Sequence, residues 1–498
     1  MAYMGRRRIF SRYDKVDDSN VTKILDEALS DHSANVSEMM YLWKYFRGQQ
    51  PILGRQKTVR PEICNNVVEN HAQEVVNFKT GYQLSEPIQY ICRTSDGGED
   101  DASSRKIADL NTLMFAESSE SKNRDLFEWM CICGVGYKFV EADVDDERHG
   151  ELGKSDIGGA PFNIHIPNPW DVFIVYSSAY HRRPIMGVWV GDGENDTPIY
   201  TVYTDSTVYT IVSGRITGKA ANGIGLIPII EYDLNNAMMG VFESALPVLD
   251  AINTIESNRI DHIEQVVQAL YLFKNCQIDE DEFLGMIELG AVSVSSVDGM
   301  QGDVSLITNN ADQSNTQTVK EDLYNALVNI CGMPNRNQGG ANDTGSAVLL
   351  RDGWTLAESH AKSYELQFKK AERDFIRVVL RICDAAGEKI DLKLRDIDLA
   401  FNRRNYDNIV TKAQVLTTLL ATEKVDPLDC YKVCGLFTDP SAAFLRGQKY
   451  VEELKKEAEE AAKQAFAMQQ SQQPARTDGL SDHDGDGVYG EDNHGRKF

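Results

Sequence analysis

The chain has 498 residues, 42% of them hydrophobic, with 51 Lys and Arg against 76 Asp and Glu and a formal net charge of -25. A polypeptide of this length and apolar content buries at least one sizeable core, which excludes wholesale disorder, and at about 150 residues per domain it divides into roughly two to four domains. A sequence pI near 4.8 excludes a protein that grips nucleic acid over its whole surface, because phosphate binding rests on Lys and Arg displacing condensed counterions.

No stretch reaches the roughly 18 apolar residues that a membrane-spanning helix needs, and the mean hydropathy is -0.38. Arg6, Arg7, Arg8, Arg12 and Lys15 are followed by no apolar run of signal-peptide length. The expectation is a soluble chain without a membrane partner. Nine Cys, an odd number, are scattered from Cys64 to Cys434. Cys131-x-Cys133 and Cys430-x3-Cys434 lack a second pair at zinc spacing, so the thiols read as reduced, buried small hydrophobes.

Residues 1–36 read as a polar arm, and Ser37 to Arg47 (SEMMYLWKYFR) as a short aromatic helix stopped by Gly48 and Pro51. Ile63, Val67, Val68, Val75 and Val76 recur at helical spacing over 60–81, and helical spacing returns from Ile107 to Cys133. Alternating segments then predict strands at 136–142, 162–166, 171–176, 185–191, 198–204, 207–212 and 227–232. The fold class is α+β, predominantly helical.

Ser244 caps a run to Lys274 whose sole proline, Pro247, sits in the first turn; as a continuous helix it is a rod of roughly 45 Å. At 100° per residue Asp250, Ser257, Asp261, Glu264 and Gln268 share one line, with Leu249, Ile252, Ile260 and Ile263 on the opposite arc. An insert follows, with the acidic tetrad Asp279, Glu280, Asp281 and Glu282 and two alternating strands, AVSVSS and DVSLIT, joined around Asp298-Gly299. A second helix, 314–331, carries Val319, Leu323, Leu327 and Ile330, and leads into the Gly/Asn-rich loop GMPNRNQGGANDTGS. A long helix over 347–386 has Gly353 as its weak point and a basic stripe of Lys369, Arg373, Arg377 and Arg381. Residues 396–402 suit a strand, the segments 409–422, 427–435 and 440–470 suit helices, and the Gln/Asp/Gly-rich tail reads as disordered.

Several patterns fall short of chemistry. Asp482, Asp484, Asp486 and Gly487 open a calcium-type loop, but its twelfth position is Asn493 rather than a bidentate carboxylate. Gly340 to Ser346 has the outline of a phosphate loop, with Ser346 where the lysine is needed. No HExxH and no local nucleophile signature is present, so the sequence offers no catalytic centre, no metal site and no cofactor site.

The order of these elements, with segments such as YLWKYFRG, GLIPIIEYDLNN and GGANDTGSAVLL, resembles the portal proteins of tailed bacteriophages, closest to the long-tailed subfamily, over about residues 37–470. The resemblance implies a wing at 37–243 and 387–408, stem helices at 244–274 and 314–331, and a clip at 275–313. It further implies a tunnel loop at 332–346, a long kinked wing helix at 347–386, a crown at 409–470 and an acidic tail at 471–498. It implies a dodecameric ring at one capsid vertex that passes double-stranded DNA and meets a terminase packaging motor, a head-tail adaptor, and the major capsid and scaffolding proteins. On that reading the stem residues Asp250, Ser257, Asp261, Glu264 and Gln268 face the channel and repel DNA phosphates. Asn335, Arg336, Asn337, Gln338 and Asn342 form the tunnel loop's polar edge, and Asp279 to Glu282 dock partners. The basic stripe either pairs with acidic faces of adjacent subunits or approaches DNA. The competing expectation is a cytosolic oligomeric metal-dependent enzyme with an acidic site in the α+β domain.

Overall fold

A computed structural model describes residues 5–93, 101–143, 159–193, 197–267, 270–274, 303–307, 313–335, 353–388, 390–401, 409–422, 424–437 and 440–471, with isolated positions 281, 284–285 and 403. The calls on Gln268, the AVSVSS strand, Arg336 to Asn342, the calcium-type loop and the acidic tail lie outside these residues. So do Asp279, Glu280 and Glu282. The chain divides into two units, residues 1–406 and 407–498.

The first unit contains a small sheet whose three strands, β3 (Val135–Ala142), β4 (Phe162–His165) and β10 (Ile229–Asp233), are antiparallel in the order β10-β3-β4. Its larger sheet runs β1-β5-β6-β7-β8-β9, from β1 (Ile9–Ser11) through β5 (Val172–Ser177), β6 (Pro184–Asp192), β7 (Pro198–Tyr203) and β8 (Thr207–Val212) to β9 (Arg215–Ala221). Only the β1–β5 pairing is parallel. A third pairing joins β2 (Gln89–Cys92) to β13 (Ile397–Ala400).

The amino-terminal arm belongs to the fold. β1 pairs with β5, and α1 (Val21–Phe46) starts well before the aromatic stretch expected to be the whole helix. Ile9, Val21, Ile24, Leu25 and Ala28 pack on Phe173, Val175 and Val188 of the larger sheet, forming a core of their own. Charged residues between them raise the average polarity without breaking the helical period, which hid the helix from a compositional reading.

The main core lies among α1, α2 (His71–Gln83), α3 (Asp101–Ala116), α4 (Ser119–Cys133), the small sheet and the long helix α7 (Trp354–Ala386). The helical run expected from Ile107 to Cys133 is broken at Ser118, which adopts φ +52. Gly134 ends α4 at φ +78, and a Cβ there would sit 2.1 Å from the Met238 carbonyl oxygen, so only glycine permits the direct turn from α4 into β3. At the centre Lys138 and Glu372 form a buried ion pair at 2.9 Å, and the Tyr90 and Tyr232 hydroxyls donate to the same carboxylate.

The two helices expected to form the stem appear as α5 (Leu246–Val267) and α6 (Gln313–Cys331). The expected helix to Lys274 stops at Val267, because Leu270–Lys274 forms β11 and pairs antiparallel with β12 (Asp303–Ile307). Leu-Tyr-Leu-Phe has strand propensity that a wheel drawn through it overlooks. The DVSLIT strand is present, and its described partner is β11. Gly353 is the N-cap of α7 at φ +81, and the expected first turns of the long helix, 347–352, lie outside the described residues.

The second unit packs α8 (Ile409–Leu420), α9 (Pro427–Cys434) and α10 (Pro440–Ser471) around Leu416, Cys430 and Cys434. The Asp426 side chain accepts from the Leu428 N–H, and Pro427 occupies the first helical position of α9.

Candidate functional site

Residues 60–70, expected to continue as helix, instead run as an irregular segment along α5. Arg60 has φ +52 and Pro61 follows it, so the helix starts only at His71. The Asn65 N–H donates to Asp261 Oδ1 at 2.7 Å, the Val67 N–H to Ser257 Oγ at 3.0 Å and the Glu69 N–H to Asn253 Oδ1 at 2.8 Å. Alternate amides of one strand therefore meet every fourth side chain of one helix, in the opposite direction. The spacing matches: two residues of extended chain advance about 6.6 Å and four residues of helix about 6.0 Å.

Long side chains complete this zipper. Arg55 and Lys57 reach Asp261 Oδ2 at 3.0 and 3.2 Å, and the Asn65 amide group donates to Asp261 and to Glu264. Asn253 donates to Gln50, and Tyr45 OH donates to Asp250 at 2.8 Å. Burial raises the Asp261 carboxyl, but the Asn65 amide and the Lys57 ammonium more than offset it and hold it below the usual carboxylate range. For Asp250 burial prevails and its carboxyl is raised.

This overturns part of the expected channel lining. Ser257 and Asp261 are 0% and 4% exposed and bonded inside their own protomer, so they do not look into open space. Asp250 and Glu264 are half-buried and bonded to Tyr45 and Asn65. The wheel identified the polar line correctly but not its cover. A signal for the cover lies in the residue types: Asn253, Ser257 and Asp261 are short side chains suited to bonding a nearby backbone, whereas a free helix face more often carries Lys, Arg and Glu.

On the opposite arc of α5, Leu249 and Ile252 are buried in the main core, and the later turns are uncovered. Ile260 and Ile263 are 38% and 51% exposed, and on α6 Val319 and Ile330 are 50% and 45% exposed. Beside them on α6, Thr318, Asp322 and Asn329 are exposed and Asn325 half-buried, all within an arc of about 60° and with no Lys or Arg among them. The two helices are clasped on the other side. Lys320 binds Glu256 at 2.7 Å and Glu69 at 2.6 Å, and Arg259 donates to Gln317. His71 lies between Glu69 and Glu74; burial lowers it, but the two carboxylates prevail and raise it.

At the end of α6, Gly332 takes φ +59 and its carbonyl accepts from Lys79 Nζ at 2.8 Å. Lys79 is buried, and burial pulls its ammonium down to about 8. Asn335 donates to Asn325 at 2.8 Å, tying the described start of the following loop back to α6. Asp281 is exposed.

The α+β region brings the carboxylates of Glu231 and Asp233 together, with the Arg8 guanidinium between them. Glu231 accepts from Tyr137 and Tyr176, and Arg8 pairs with both Glu231 and Asp233. Among the described residues no group of three or more His, Cys, Asp or Glu is placed to hold a metal ion. Burial pushes the Cys131 and Cys133 thiols up to about 12, away from the reactive thiolate.

The family model described as "Phage portal protein, SPP1 Gp6-like" matches residues 25–464. The chain belongs to this phage portal family. No curated protein sequence matches it. Among solved structures, a chain described as "Neck of empty GTA particle computed with C6 symmetry" is similar at 12% identity, with a TM-score of 0.42 over 73% of this chain and 90% of that one. The family is structural rather than enzymatic. No helix among the described residues is long and apolar enough to cross a membrane.

Proposed function

We propose that twelve copies of this portal close into a ring at one capsid vertex and pass double-stranded DNA into and out of the head. The observation that carries this reading is the stem's inverted exposure. The polar face of α5 is consumed inside the protomer, while Ile260, Ile263, Val319 and Ile330 remain uncovered. A helix pair with that pattern is satisfied by neighbours in a closed heterologous ring. The arc Thr318, Asp322, Asn325 and Asn329 then takes the channel-facing role. It offers hydrogen bonds and one negative charge but no cation to hold a passing phosphate.

On the same reading the tunnel-loop residues Asn335, Arg336, Asn337, Gln338 and Asn342 touch the DNA backbone transiently. Asp279, Glu280, Asp281 and Glu282 in the clip meet the terminase motor during packaging and the head-tail adaptor afterwards. The wing contacts the major capsid and scaffolding proteins, and the protein passes from host cytoplasm into the virion. No cofactor enters this account.

Mass photometry and negative-stain imaging of the purified protein test it. The expected particle has twelve times the 55.7 kDa protomer mass and a central hole, and Ile263→Asp leaves the protomer folded but shifts it to smaller species. A wild-type protein that stays monomeric or dimeric at micromolar concentration, or rings indifferent to Ile263→Asp, would overturn the reading.

A further inference from the structure

A cleft of about 470 Å³ opens between the β5–β6 hairpin, β10 and α7. Its floor is closed and largely neutralised: Arg8 spans Glu231 and Asp233, and burial raises the Glu231 carboxyl to about 7. Its rim is cationic, with Arg182 and Arg183 on the hairpin tip facing Lys370 and Arg377 on α7. All four are exposed. Lys369, expected in the basic stripe, is not part of this rim, because it is tied to Glu365 and Asp398.

The rim cations are poorly partnered. Arg377 pairs with Asp374 on its own helix, and Arg183 donates only to the Asp14 carbonyl. Arg182 stands over the Phe10 ring, Lys370 is near enough to Asp233 to stabilise its charged form without forming an ion pair, and no ion pair is formed by Arg182 or Arg373 among the described residues. The same tip carries Tyr180, 95% exposed, beside the 41% exposed Phe10. Exposed Tyr and Arg beside a concave surface are among the residue types that anchor protein interfaces.

We propose that this hairpin tip and the adjoining face of α7 form the basic half of the contact between neighbouring portal subunits, receiving Asp and Glu side chains of a second copy. The proposal rests on the ring reading and deepens it. A closed ring joins two different patches of each subunit, and subunits of charge -25 repel one another unless one of the two patches is positive. The Tyr180–Arg183 tip and Lys370 supply that patch, and the acidic remainder of the surface supplies its complement.

The test compares wild type with Arg182→Glu/Lys370→Glu and with the milder Lys370→Gln/Arg373→Gln, all as full-length protein. Wild type alone decides whether a ring forms, so failure of the ring reading is seen before any variant is measured. The double Glu variant is expected to lose the ring peak at about 0.15 M salt while circular dichroism and melting stay those of the wild-type protomer. The Gln variant is expected to need lower salt than wild type to assemble. Mixed substoichiometrically with wild type, the double Glu variant should truncate rings into open arcs, because its acidic face is intact and its basic face is not. Variants that assemble normally overturn the proposal. If they also lose salt-dependent retention of a duplex DNA probe, the patch belongs to phosphate instead.

Discussion

Replacing Asp261 with alanine strips the stem zipper of its most heavily used acceptor. The Asn65 N–H loses its partner, whereas the Asn65 side-chain amide keeps Glu264, and a donor left unsatisfied away from water costs about 1–3 kcal/mol. Arg55 and Lys57 lose a carboxylate too, but their side chains are 19% and 26% exposed and can rehydrate, so their share is small. The sum is about 1–3 kcal/mol of local stability, or roughly a 5- to 150-fold faster amide exchange at about 1.36 kcal/mol per decade. Hydrogen-exchange mass spectrometry on the peptide covering Asn65 to Glu69 reads this directly, and Asp261→Asn, which keeps an acceptor, should fall between the two. Because the Asp261 carboxyl is held below its ordinary value, the wild-type protection is fully present above about pH 4 and fades as pH falls through the folded value. The alanine variant lacks that fading. Exchange unchanged within about threefold, or a loss spread evenly over the whole unit, would refute the zipper.

Removing one member of the buried Lys138–Glu372 pair leaves the other charge stranded, so Glu372→Gln or Lys138→Met should each lower stability by about 3–5 kcal/mol; Lys138→Met with Glu372→Leu should cost less than either alone, as thermal melts will show. His71 is raised above its unfolded value by Glu69 and Glu74, so its stabilisation is complete below about pH 6.5 and is lost as pH rises through the folded value. An NMR titration should place His71 above about 6.5, and His71→Gln should flatten the pH dependence of stem melting in that window. Lys79, pulled down to about 8, behaves oppositely: the unfolded chain binds its proton more tightly, so stability should rise with pH from about 8 to about 10. Lys79→Met should remove that rise.

Much of the architecture was legible in the sequence because it depends on periodicity. The strands β3 to β8 and β10 appear where alternation places them, and α8, α9 and α10 where a composition rich in Ala, Leu, Glu and Lys places them. β9 was missed because RITGKAA is mostly exposed and has little apolar alternation. The stem shows what a one-dimensional pattern cannot hold. The polar line Asn253, Ser257, Asp261 was readable, but its occupant comes from residues 65–69, nearly 200 positions away, and Val67 and Val68 at helical spacing suggested a helix there instead. The same limit applies to Arg6, which reads as a loose terminal charge yet is 5% exposed and bound to Glu243 at the approach to α5. Tertiary hydrogen bonds decided these segments, and local propensity did not.

The most direct measurement is a cryo-electron microscopy reconstruction of the assembled protein at side-chain resolution. The account predicts a closed ring in which Ile260 and Ile263 of each subunit are covered by the next, Thr318, Asp322 and Asn329 border the pore, and Asp261 stays bonded to Asn65. A ring with Ile263 bare to the pore, a stem in which residues 65–69 have left α5, or an assembly without a pore would contradict it.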